Sequence, residues 1–156
     1  MNARVPNTPN TQAAQLLQTA INLNAARPEA YQLMGIIELY GNHNFDEARR
    51  YMTAAIERGG DAVFRVYHDH ANGSFNTYCI GSLYVSKNKV TYEADNGVDS
   101  YRANFAEIKE AKVNGLLGKN LGAFHIKINQ GRNYNFAPAT KNVTESQMIV
   151  GFISSK

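Results

Sequence analysis

The feature that most constrains this chain is a change of hydrophobic period at Gly59-Gly60. Apolar residues recur every three or four positions before the two glycines and every second position after them. A period near 3.6 specifies helices buried along one stripe, and a period of two specifies strands buried on one face. The chain therefore reads as an α+β protein, with a helical segment over residues 1–60 and a strand-rich segment over residues 61–156. Charge divides at the same place. Arg4, Arg27, Arg49, Arg50 and Arg58 balance Glu29, Glu38, Asp46, Glu47 and Glu57, so the net charge of +3 belongs to the second segment, which also holds every lysine.

In the first segment Ala13, Leu17, Ala20 and Ile21 draw one stripe down a helix over 11–24, with Asn10 or Thr11 able to cap it. Pro28 suits the first turn of a second helix, whose stripe is Tyr31, Met34, Gly35 and Leu39 and whose stop is Gly41-Asn42. A third helix is expected over 45–58, burying Ala48, Met52, Ala55 and Ile56 and ending at Gly59-Gly60. The setting PEAYQLMG…GNHNFDEARRYMTAAIE, preceded by AAQLLQTAINLN, resembles the tetratricopeptide repeat (TPR), a 34-residue helical hairpin, over about 1.5 repeats. That resemblance implies an element that needs neighbours to bury its apolar face. The helices are thus expected to lean on the second segment or on repeats outside this sequence, which would make the chain the C-terminal piece of something longer.

After Asp61 the predicted strands are short and punctuated by turns. AVFRVYHDH is followed by the turn Asn72-Gly73-Ser74. TYCIGSLYVS then places Cys79, Leu83 and Val85 on one face, and Lys87-Asn88 turns into KVTYEA with Val90 and Tyr92 inward. SYRANF puts Tyr101, Ala103 and Phe105 on one face, and EIKEAKV follows with Ile108 inward and a slip of register expected at Lys109-Glu110. A Gly-rich loop over 114–122 leads to AFHIKIN and RNYNFAP, completing seven strands. The chain then enters a helix expected to be capped by Thr144 with Gln147 and striped by Met148, Ile149, Phe152 and Ile153. Seven antiparallel strands tend to curl and close, and a helix can plug the open end.

Seven strands then one amphipathic helix, carried by CIGSLYVSKNKVTYEA, AEIKEAKV and the pair FHIKI and YNFAP, resembles the pleckstrin-homology (PH) superfold and its GRAM-like bacterial relatives. The resemblance covers roughly residues 61–156 and implies a binding or scaffolding module without chemistry of its own. Members that bind phosphoinositide headgroups present several Lys and Arg from the first two strands, where this chain offers Arg65 beside Asp69.

Residues able to carry chemistry are few. His68 and His70 would project from one face of a strand, about 7 Å apart by strand rise, near enough to share a divalent metal, with His125 or His43 as further ligands if folding brought them in. Flanking a turn, the two histidines read more simply as solvated or locally hydrogen-bonded. Cys79 occupies a core-facing strand position where a thiol is usually inert, and as the single cysteine it forms no internal disulfide. No nucleophile elbow, phosphate loop, HExxH or paired-carboxylate motif occurs. The reading is therefore of a non-enzyme with no catalytic residue, cofactor or metal, the competitor being a metal-dependent enzyme built on His68 and His70.

Lysines spread over outward strand positions read as solvated surface, which argues against nucleic acid and leaves an anionic lipid surface as the alternative partner. The partner expected first is a protein, a peptide or a neighbouring domain. It is placed near Tyr101, Asn104 and Ile108, because faltering alternation in SYRANFAEIK marks a loosely paired edge. No apolar run reaches the roughly 18 to 20 residues a membrane span needs, and MNARVPNTPN lacks the apolar stretch of a secretory signal, so a cytoplasmic location is expected.

Overall fold

The computed structural model describes residues 9–154. It is a mixed α and β structure: helices, then a seven-stranded antiparallel sheet curled into a half-barrel, then a C-terminal helix. Contacts divide the chain into two compact units between Ala62 and Val63.

In the helical unit α1 spans Pro9–Leu23 and α2 spans Pro28–Ile36, continuing through a π-helical turn over Ile37–Gly41, and α3 spans Phe45–Glu57. Because α1 already starts at Pro9, Asn10 and Thr11 lie within the helix and not at its cap. Pro28 sits in the first turn of α2, where its missing N–H leaves no bond unmade. Asn44 caps α3 by accepting from the Glu47 amide at 3.2 Å. Ala48, Met52 and Ala55 are fully buried, whereas Ile56 is half-buried. Gly35 is required by close approach, since a Cβ there would sit 2.7 Å from Met52 Cγ. The α1–α2 link is held by two donors to the Ala25 carbonyl, the Tyr31 hydroxyl at 3.2 Å and Arg58 Nε at 2.6 Å, while the Arg58 guanidinium lies 4.1 Å over the Tyr31 ring.

In the sheet unit the strands are β1 Ala62–Asp69, β2 Tyr78–Val85, β3 Lys89–Ala94, β4 Ser100–Asn104, β5 Ile108–Val113, β6 Phe124–Ile128 and β7 Asn133–Pro138. Their order is β4-β3-β2-β1-β7-β6-β5. The central β1 thus joins two meanders, and the curl stops at a half-barrel whose edges are β4 and β5. A single 3₁₀ turn, Phe105–Glu107, connects those two edges in sequence. The expected register slip is present, between Ile108 and Glu110. Alternation has put Val90, Tyr92, Leu83 and Val85 inside, all fully buried. Gly81 is needed because a Cβ would meet the β3 backbone, 2.8 Å from Ala94 Cα.

Two further local expectations are corrected. The 114–122 stretch is not only loop: Leu116–Leu121 forms a short helix, α4, ended by Gly122 in the left-handed conformation at φ 64°. The C-terminal helix α5, Val143–Ser154, is capped by Asn142, whose side chain accepts from the Thr144 amide at 2.8 Å, so Thr144 and Gln147 are internal. The helix packs on β5, β7 and β2 and buries Met148, Ile149 and Ile153, and its Phe152 ring lies 6.2 Å from that of Phe64. It also buries Glu145 and Ser146, whose polar groups are satisfied by the Thr140 hydroxyl and the Gly122 carbonyl.

Candidate functional site

Two places in the sheet unit gather groups that could recognise something. The first is the pair of open edges. Tyr101 lies on β4 with its side chain inward, its ring centroid 3.9 Å from that of Tyr134. Burial, with Tyr134 and Glu107 nearby, pushes its phenol pKa up, and among the described residues its buried hydroxyl has no hydrogen-bond partner. Asn104 ends β4 and is exposed, its amide donating to the Glu107 carboxylate at 2.8 Å. Ile108 begins β5 and is buried. The three residues thus mark the two sheet edges and the turn between them, and only Asn104 turns its side chain to solvent.

A groove of about 250 Å³ runs between β5 and the end of α5, lined by Ile108, Lys109, Glu110, Ala111, Ile153 and Ser154. On the outward face of β5 and β6, His125 is engaged by Glu110 at 2.9 Å and by Asn114 at 2.6 Å. The His125 contact holds the Glu110 carboxyl below its ordinary range, helped by Lys112 and Lys127. His125 is therefore not a further partner of His68 and His70, and His43 belongs to the helical unit.

The second place is the cluster around His68 and His70. Both project from the same face at the end of β1, as their spacing of two requires, with ring centroids 4.9 Å apart. What joins them is Cys79 from the start of β2 and Asp99 from the link before β4, and one ligand atom from each of the four residues lies within 4.8 Å of all the others. His68 Nδ1 is 2.5 Å from Asp99 Oδ2, His70 Nε2 is 3.9 Å from the same oxygen, and Cys79 Sγ is 3.6 Å from it. Cys79 Sγ also lies 3.0 Å from the Tyr92 hydroxyl. Burial raises the Cys79 thiol pKa, the Tyr92 contact lowering it and the Asp99 carboxylate adding to the rise. Burial and the thiol likewise push the Tyr92 phenol up.

Asp69, between the histidines, serves another purpose. Its carboxylate accepts from the amides of Gly73 and Phe75 and so folds the loop after β1. Arg65 is held by Asp95 at 2.5 Å and by Ser82 at 2.9 Å. Sequence reasoning found the histidine pair but treated Cys79 as inert and passed over Asp99. The inward alternation of β2 was a signal for Cys79 alone, and Asp99, in the link before β4, had none, because the meeting arises from strand order and not from any local spacing.

No protein-family model and no curated protein matches the chain. Among solved structures it is similar to a crystal structure of the C-terminal domain of an unknown protein from Leishmania infantum, with 10% identity and a TM-score of 0.45, over 59% of this chain and 82% of that one. Among the described residues no helix is long and apolar enough to cross a membrane.

Proposed function

We propose that the chain is a non-enzymatic interaction module whose sheet unit takes a protein partner as an added strand along β5. In this reading the helical unit is a tetratricopeptide-like hairpin, and the sheet unit is a pleckstrin-homology or GRAM-like fold left open at β4 and β5. The observation that carries the proposal is the position of β5, an edge strand bordering the groove beside the end of α5. An edge offers unpaired backbone donors and acceptors to an extended peptide, and the adjoining groove selects side chains. The bulge at Ile108 and Glu110 suits such a site, because it loosens the strand's own pairing there.

The partner segment is extended and carries acidic residues. Lys109 and Lys112 are exposed on β5, Lys127 stands across from Glu110, and the net charge of +3 lies in this part of the chain. Tyr101 and Ile108 act as the packed support of the two edges, and Asn104 is the member of the three that a partner would touch.

The test is to select peptides from a random display library on the full chain and map them on ¹⁵N-labelled protein. The selected peptides should be acidic, shift amides over 108–113 and 150–154, and bind the Lys112→Glu variant several-fold more weakly. Asn104→Glu should weaken a segment that reaches the turn between the edges. Shifts confined to regions away from both edges would contradict the site. Recovery of no peptide, with flotation of the protein on anionic liposomes, would replace the reading with a peripheral lipid-binding one.

A further inference from the structure

We infer that His68, His70, Cys79 and Asp99 bind one divalent transition-metal cation with the ligand preferences of zinc, a site separate from the β5 edge and independent of the partner reading. Four-coordinate zinc with bonds of about 2.0 to 2.3 Å sets its ligand atoms roughly 3.3 to 3.8 Å apart. The four residues already hold one ligand atom each within 4.8 Å of the rest. His70 Nε2 and Cys79 Sγ, at 3.9 and 3.6 Å from Asp99 Oδ2, stand close to that spacing. His68 Nδ1 at 2.5 Å from Asp99 Oδ2 must open by about an ångström, as it would when a cation replaces the proton between them.

The donor set decides the class of metal. Two imidazoles, a thiol and a carboxylate suit zinc and its neighbours, whereas magnesium and calcium prefer oxygen ligands throughout. All four positions are filled from the protein, which describes a closed structural site without an open position for reacting water. Such a cation would tie together the end of β1, the start of β2 and the link before β4.

The surroundings support the first ligands. The Tyr92 hydroxyl, 3.0 Å from Cys79 Sγ, is placed to donate to a metal-bound thiolate. The His68 ring is clamped by Tyr92 and Phe136, at centroid distances of 5.2 and 4.9 Å. His70 is set at the strand end by its amide, which donates to the Thr77 carbonyl at 2.8 Å, and by the loop that Asp69 folds. The site is dry on one side and open on the other: the side chains of His70 and Asp99 are 38% and 30% exposed against 10% for His68, leaving a path for the ion.

The experiment uses the full chain purified without a histidine tag, stripped with chelator, kept reduced and titrated with Co²⁺. The expected result is saturation at one ion per chain, with the strong visible bands of a tetrahedral site and a near-ultraviolet thiolate-to-cobalt band that Zn²⁺ abolishes by displacement. Cys79→Ser should remove the thiolate band, His70→Ala should weaken binding at least about tenfold, and Tyr92→Phe should weaken it about 10- to 100-fold. Zn²⁺ should raise the wild-type melting temperature and leave that of His70→Ala nearly unmoved. Circular dichroism checks each variant's fold, and Asp99→Asn replaces any that fails. Absence of saturable binding, the weak spectrum of an octahedral ion, or equal affinity in the folded variants would overturn the site.

Discussion

The helical unit and the sheet unit obey the same rule of burying one face, yet they fill their interiors differently. In the helical unit complete burial is reached by the small Ala48 and Ala55 with Leu39 and Met52 as its large fully buried side chains, while Ile21, Tyr31 and Met34 are buried less completely. The sheet unit buries Phe64, Leu83, Tyr92, Phe124, Ile126, Phe136, Met148, Ile149 and Ile153 completely. Small residues permit close helix approach but remove little apolar area from water, and area removed is what stabilises a domain. Both units leave large apolar residues exposed, Leu16, Leu23 and Leu33 in the one and Tyr78, Val98 and Leu116 in the other, and the helical unit carries an apolar groove between α1 and α2 lined by Ala13, Leu17 and Ile36. The difference teaches that the large, completely buried side chains are concentrated in the sheet unit, which is therefore expected to be the more stable of the two.

The largest effect expected from this contrast is in a fragment. Residues 1–60 expressed alone should show no cooperative helical melt by circular dichroism, and a sharp transition would break the comparison. Next comes Phe136→Ala, which empties a fully buried ring packed by His68, Tyr92 and Phe124 and should cost about 3 to 5 kcal/mol in denaturant unfolding. A loss under about 1 kcal/mol would mean the sheet core is not close-packed. Gly81→Ala forces a Cβ against the β3 backbone and should cost roughly 1 to 3 kcal/mol. Phe152→Ala sharpens the account of α5. The ring is half-buried, 6.2 Å from Phe64, so its loss should cost about 2 kcal/mol, less than a sealed aromatic site would.

The smallest effect is electrostatic. Hydrogen bonds from Arg65 hold the Asp95 carboxyl below its ordinary pKa. A depressed folded pKa stabilises above the unfolded value, and that contribution is lost as pH falls through the folded one. Asp95→Asn should therefore lower the melting temperature only slightly at neutral pH, because the pair is solvent-exposed, and that small difference from the wild type should close as pH falls through the folded pKa. A large loss at pH 7 would place Arg65 in a role beyond this pair.

These contrasts also explain what could be read in advance. Strand alternation identified Val90, Tyr92, Phe124 and Phe136 as inward, and faltering alternation located the bulge after Ile108, because both depend on neighbours in sequence. The cap at Asn142 was displaced to Thr144 by a capping-box pattern that the chain does not use, since Asn142 already supplies the acceptor. Helix α4 was hidden by the glycines that flank it. The four-residue cluster was half visible: His68 and His70 share a face by spacing, but His68 and Asp99 are 31 residues apart and meet only through the strand order. Local rules carry no information about that meeting.

Native-state hydrogen exchange on the intact chain tests the contrast most directly, because it reads the opening free energy of each unit without dissecting them. The slowest amides are predicted in β1, β7 and β6 around Phe64, Phe136 and Ile126, with those of α2 and α3 exchanging at least roughly tenfold faster through a separate opening. Equal protection in the two units, both set by one global unfolding, would contradict the account.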